Sequence, residues 1–189
     1  MSRIIALSGL CGAGKTTAAL LIEKFGYQYV RFGQILIDRL REANIPVNET
    51  NEKMLRHQLR QTHGMGAFAI ENLPKITRLC KTGDVVIDGL YSFEEYKLLK
   101  EHFKEDFFNV AIYAPPNMRY PRLSKRQWKS HDQNTLFRPL TEEEAKKRDY
   151  DEIENASKGG PIAIADWTIA NTTTISHLEI QVKEMLCQM

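Results

Sequence analysis

Cysteine is scarce in this 189-residue chain: Cys11, Cys80 and Cys187 are an odd, widely scattered set. With no C-x-x-C pair and no H-x-x-x-H to complete one, the pattern speaks against a zinc site or a disulfide framework and points to a reducing compartment. No apolar run approaches the roughly 20 residues that a membrane span needs. The N-terminus passes from Ser2-Arg3 into a short apolar stretch and then glycines, without the apolar core or cleavage site of a secretory signal. A soluble, cytoplasmic protein with no membrane partner is therefore expected. Charge of one sign is also missing, since 26 Lys and Arg against 24 Asp and Glu leave a formal net charge of +2. That balance argues against a disordered tail and against a nucleic-acid partner. His57, His63, His102, His131 and His177 show neither ligand spacing nor a nucleophile pair. Internal repeats, low-complexity segments and linkers are absent too, so a single domain over residues 1–189 is expected, with 42% hydrophobic residues to build its core.

What is present is an alternation of short apolar runs and helical periodicities. Residues 4–8 read as a buried strand that ends in glycines, and residues 15–25 follow with Ala18, Leu21, Ile22 and Phe25 at helical spacing. A second strand is expected at 27–32 and a helix at 34–43, broken by Asn44-Ile45-Pro46. Helices at 50–63 and 67–80 precede the β-branched strand Val85-Val86-Ile87, which exits at Asp88-Gly89. Ser92 is the expected N-cap of a helix at 92–104, 107–113 is the fourth strand, and Pro115-Pro116 opens a helix through about Lys129. A fifth strand at 166–170 and a last helix with Ile175, Leu178, Val182, Met185 and Leu186 on its apolar stripe complete the chain. Five strands separated by helices predict an α/β fold with a five-stranded parallel sheet and helices on both faces. Two pieces read as inserts: a helical one at about 44–66 and a charged lid at about 128–160.

Residues 9–16, Gly9-Leu10-Cys11-Gly12-Ala13-Gly14-Lys15-Thr16, match G-x-x-x-x-G-K-[ST] between a buried strand and a helix N-terminus. Backbone N–H groups around Gly9, Gly12, Ala13 and Gly14 suit phosphate oxygens, Lys15 suits the β and γ phosphates, Thr16 suits magnesium, and Thr17 can add an α-phosphate contact. ATP with magnesium is the expected ligand. Asp88, at the carboxyl end of a buried strand, is the candidate to join Thr16 on the metal or to take a proton from an acceptor. Its alternative role is a turn residue before Gly89. From 119 to 148 positive charge exceeds negative; Arg126 and Arg148 are the candidates for the phosphates, with Arg126 catalytic, and Arg119 for the base or the lid hinge. Trp128 could stack on a base or pack in the lid.

With these elements placed, the chain resembles the nucleoside monophosphate kinase group of P-loop proteins, closest to the adenylate kinase-like and dephospho-CoA kinase-like small kinases. The resemblance rests on the 9–16 loop, Val85-Val86-Ile87-Asp88-Gly89, Arg119 to Arg126, Arg148-Asp149 and Ala165-Asp166-Trp167-Thr168-Ile169-Ala170-Asn171. It implies a P-loop NTPase fold, an acceptor-binding helical insert, a lid, and transfer of the γ-phosphate to a small-molecule acceptor by a monomer or homodimer. Gly33, Gln34, Arg60 and Tyr91 are the substrate-side positions it marks. Departures sit there as well: Ile37 stands where the group carries an arginine after Gly33, and Tyr91 stands where related kinases read Asp-Gly-x-Arg. Arg39, Arg41, Arg56 and Arg60 are the candidate replacements, Arg60 the best placed. A dephospho-CoA kinase-like enzyme, and an ATP-binding switch or slow ATPase, are the alternative readings.

Overall fold

The computed structural model describes residues 2–126 and 139–189. Its centre is a five-stranded parallel sheet in the order β2-β3-β1-β4-β5, formed by β1 (Ile4–Ser8), β2 (Gln28–Arg31), β3 (Val85–Asp88), β4 (Phe107–Tyr113) and β5 (Trp167–Ala170). β1 lies between β3 and β4, with Leu7 opposite Asp88 and Ser8 opposite Ala111. The chain thus changes direction across the sheet beside β1, and the carboxyl ends of β1 and β3 open on the resulting crevice.

Alternation along β1 divides the core in two. Ile4 and Ala6 face a layer with Leu36, Leu59, Phe68, Ile76 and Leu99, whereas Ile5 and Leu7 face Ala18, Ile22, Leu178 and Val182. The first layer carries α2 (Gln34–Glu42), α3 (Glu49–His63), α4 (Ala67–Leu79) and α5 (Phe93–Phe103); the second carries α1 (Lys15–Glu23) and α9 (Ile175–Gln188). All five residues of β1 are buried, which explains why it reads as a continuous apolar run. Phe25 and Ile175, expected on apolar stripes, are instead 46% and 68% exposed, because α1 ends at Glu23 and Ile175 opens α9.

The helical insert is α3, capped by the Asn48 side chain, which accepts from the Asn51 N–H at 2.9 Å. Ser92 caps α5 as expected: its hydroxyl accepts from the Glu95 N–H and donates to Met65 O at 2.7 Å. One side chain therefore fixes both the start of α5 and the turn that follows α3.

α6 (Pro116–Ser124) is shorter than expected, since Lys125 caps it and the Leu140 N–H donates to Leu123 O. The lid segment holds α7 (Glu142–Glu154) and then α8 (Gly159–Ala163), a helix that its Gly-Gly-Pro sequence does not advertise. Trp128 and the first part of the expected lid lie outside the described residues. Among the described residues no helix is long and apolar enough to cross a membrane.

Candidate active site

The loop after β1 is built on glycines whose backbones other residues avoid: Gly9, Gly12 and Gly14 have φ of 137°, 79° and 106°. A Cβ on Gly9 would run into Ile112 O, and one on Gly14 into the Asn171 side-chain amide. That amide donates to Ala13 O at 2.8 Å, so the end of β5 holds the loop from outside. Gly14 caps α1 without a side-chain bond, which leaves the first N–H groups of the helix facing the loop.

Lys15 bends back over the loop, its Nζ donating to Gly9 O at 2.8 Å and Leu10 O at 3.1 Å. Burial, and next the charge of Lys158, lower its pKa to about 8, against opposing pulls from Glu152 and Asp88. Phosphate oxygens would favour the charged amine, so binding ATP above that value requires proton uptake. The sign follows: below about pH 8 Lys15 is already protonated and affinity is flat, and above it affinity falls by up to about tenfold per pH unit. Calorimetric ATP titrations in two buffers of different ionisation heat, at about pH 7 and about pH 9, measure this directly. A constant affinity with no proton uptake would overturn it.

Thr16 Oγ1 donates to Asp88 Oδ2 at 2.8 Å, and Tyr29 Oη donates to the same oxygen at 2.8 Å. Asp88 is 4% exposed. Burial and the neighbouring carboxylate push the Tyr29 phenol up, which keeps it a donor. The two oxygens that magnesium would need from the protein are therefore already together at the loop, and their hard-oxygen chemistry fits that ion.

Arg119, the candidate for the base or the lid hinge, has a guanidinium that is 2% exposed and bonded inside the protein: Nε donates to Ala114 O at 2.8 Å, and Nη1 to Cys11 O at 2.9 Å. Nη1 and Nη2 also form a forked pair with Asp149 at 2.9 and 2.6 Å, and Tyr120 Oη donates to the same carboxylate. Arg119 ties the loop to α7, close to the hinge role. Burial lowers the Arg126 pKa, with Arg148 adding repulsion, which places the two candidate phosphate arginines within electrostatic reach of each other.

Sequence reasoning missed what Arg148 meets. Glu152 accepts from Arg148 Nε at 3.1 Å and from Lys158 Nζ at 2.7 Å. Lys158 is 1% exposed, with Nζ 5.3 Å from the centre of the Tyr91 ring. Although burial opposes it, the charges of Lys158 and Arg148 bring the Glu152 pKa down to about 2. A lone lysine before Gly159-Gly160 carries no sequence signal for such a position.

On the acceptor side, a Cβ on Gly33 would stand 3.1 Å from Tyr91 Oη, so the second and third strand exits meet over this ring. Burial pushes the Tyr91 phenol up. Gln34 donates to Asp38 Oδ1 at 2.9 Å and lines a shallow groove with Arg39, Glu71 and Lys75. Arg39 is ion-paired with Glu71. Arg60 Nε is buried and has no hydrogen-bond partner.

A glycine loop on a helix N-terminus at the crevice of a five-stranded parallel sheet defines a P-loop nucleotide-binding protein with the architecture of small-molecule kinases. The chain belongs to the AAA domain family, whose model matches residues 5–154. Its similarity to the UPF0200 protein of Pyrococcus furiosus is 32% identity, covering 97% of this chain and 95% of that one. The UPF0200/UPF0201 protein of Archaeoglobus fulgidus is 29% identical, and there the match covers 99% of this chain but only 56% of the relative's length. Among solved structures, the fold is similar to a gluconokinase from Sinorhizobium meliloti 1021, with TM-score 0.58, 14% identity, and 98% and 92% of the two chains covered. A shikimate kinase from Acinetobacter baumannii in complex with shikimate gives TM-score 0.57 at 17% identity, again over 98% and 92%.

Proposed function

We propose that this protein is an ATP-dependent phosphotransferase of the nucleoside monophosphate kinase group, moving the γ-phosphate to an anionic, nucleotide-like small acceptor. The observation that carries the reading is the bond between Thr16 and Asp88 at 2.8 Å beside the Lys15 loop, two residues far apart in sequence joined where a metal-bound triphosphate would sit. Magnesium held by Thr16 and Asp88 would neutralise charge on the phosphate oxygens. Lys15 exchanges two loop carbonyls for phosphate oxygens, and the N–H groups of the loop and of α1 orient the chain of phosphates. Arg126 and Arg148 supply charge to the oxygens that gain it as the phosphoryl group moves.

The acceptor side supports an anion. Arg56 and Arg60 lie four residues apart on α3, one helical turn, and make no ion pair or side-chain hydrogen bond to any described residue. Two neighbouring guanidiniums that make no ion pair with a described residue favour a negatively charged ligand. They stand in for the arginine that the chain lacks at Ile37.

Coupled ADP formation from ATP and magnesium, measured against nucleoside monophosphates, deoxynucleotides, nucleosides and dephospho-CoA, tests the reading. A single acceptor class should raise turnover well above the rate without acceptor. If ATP binds and none of them accelerates its hydrolysis, the protein is a switch or slow ATPase. Asp88→Asn is expected to cut turnover by about a hundredfold and raise the magnesium concentration needed, with the fold kept. Unchanged kinetics across a magnesium titration would return Asp88 to a turn role.

A further inference from the structure

Asp88 receives two donors on one oxygen. Thr16 Oγ1 from α1 and Tyr29 Oη from β2 each stand 2.8 Å from Oδ2, whereas no described residue donates to Oδ1. The loop motif names Thr16, but nothing in the phosphotransferase reading uses Tyr29. Strand register explains how the phenol arrives. Tyr29 pairs with Val86 and Arg31 with Asp88, so Tyr29 lies on the same face of the sheet as Asp88 and diagonally behind it. A long side chain covers that diagonal and a short one does not. The Tyr29 ring packs against the second apolar layer, with Ile5, Leu7 and Val86, so an otherwise apolar wall delivers one hydroxyl to the carboxylate.

The outer torsion of an aspartate is broad, and a carboxylate held by a single donor can turn about it. Two donors that reach one oxygen from a helix and from a strand fix the carboxylate plane. They also compensate the burial of a group that is 4% exposed. Oδ1 keeps its lone pairs, and the Thr16 oxygen keeps its own while its proton is committed to Oδ2. The phenol gives its proton to the same oxygen and stays a donor, because burial and the carboxylate both push its pKa up.

We infer that Tyr29 is a positioning residue for metal-dependent nucleotide binding: its hydroxyl holds Asp88 Oδ2 so that Oδ1 and the Thr16 oxygen face a divalent cation on the phosphates. The inference rests on the magnesium and ATP part of the phosphotransferase reading and adds a residue to it. A hydroxyl that served only the packing of β2 would act on stability and be indifferent to metal.

Tyr29→Phe keeps the ring in the apolar layer and removes one bond. Full-length wild type and variant are titrated calorimetrically with ADP, once in excess EDTA and once at a fixed excess of magnesium. The ratio of the two affinities measures the metal's share of binding. Tyr29→Phe is expected to leave the affinity in EDTA unchanged and to shrink that ratio by about tenfold, the low end of the cost of removing a hydrogen bond behind a metal-ligating carboxylate. On an Asp88→Asn background the same substitution should change the ratio little, because the phenol acts through that side chain. In coupled assays the magnesium concentration for half-maximal turnover should rise by more than kcat falls. Equal weakening with and without magnesium overturns the inference, as do an unchanged ratio, a full effect on the Asp88→Asn background, a wild type whose ADP affinity ignores magnesium, and a Tyr29→Phe protein that does not fold in EDTA. The two levels of argument separate cleanly. A shrunken ratio in a protein that no acceptor stimulates keeps the role of Tyr29 and removes the phosphotransferase reading; acceptor-stimulated turnover with an unchanged ratio does the reverse.

Discussion

Lys15→Ala is expected to lower acceptor-stimulated turnover by about two to three orders of magnitude, the cost of removing a preorganised donor from a developing charge. The reason lies in where the ammonium rests. Its contacts with Gly9 O and Leu10 O hold it over the loop, and they are neutral carbonyls that phosphate oxygens can displace. A lysine whose pKa has already been lowered to about 8 by burial and by Lys158 gains more from an anion than an exposed one would. The same shift sets the sign of the effect on stability. The folded value lies below the unfolded one, so the charged amine is disfavoured in the fold, and its removal should leave the unfolding temperature unchanged or raised. A variant that loses activity while holding its melting temperature separates catalysis from folding. Retained turnover would remove Lys15 from the mechanism.

The fold was legible because its signals are local. Residues 4–16 spell strand, loop and helix in one continuous stretch, and Val85-Val86-Ile87-Asp88 carries both a buried strand and its exit carboxylate. The Thr16–Asp88 pairing could be anticipated because the motif names one partner and the strand end the other. The parts that were not legible depend on contacts across the chain. Asn171 reaches Ala13 across 158 residues, and Arg119 reaches Cys11 across 108. Nothing local distinguishes Arg119 from Arg122 or Arg126, so the choice between the base and the lid hinge for Arg119 could not be made before its buried bonds to Cys11 O and Asp149 were seen. Lys158, Glu152 and the open oxygen of Glu95 share this property: their roles come from the folded arrangement of α3, α5 and α7. Ser92 was legible as the cap of α5, whereas the buried, unpartnered oxygen of Glu95 was not.

Arg119→Ala is expected to destabilise the protein by about 3–5 kcal/mol, the range for breaking a buried, hydrogen-bonded ion pair from one side. Asp149 would be left 4% exposed with only the Tyr120 hydroxyl among its present side-chain donors, and Ala114 O and Cys11 O would each lose a charged donor. Urea unfolding measures the loss; a change below about 1 kcal/mol would mean that the forked pair contributes no more than an exposed one. The double substitution Arg119→Met with Asp149→Leu gives a sharper result. Replacing both charges by apolar groups of similar size removes the orphaned carboxylate and should recover much of the stability. It does not restore the bond to Cys11 O, so the loop stays untethered from α6 and α7. ATP affinity and turnover should then remain depressed in a protein that is stable again. That separation of stability from activity is what a tether predicts. If Arg119 instead touched the nucleotide, Arg119→Ala would raise the KM for ATP while barely moving the urea midpoint, and the tether would be disproved.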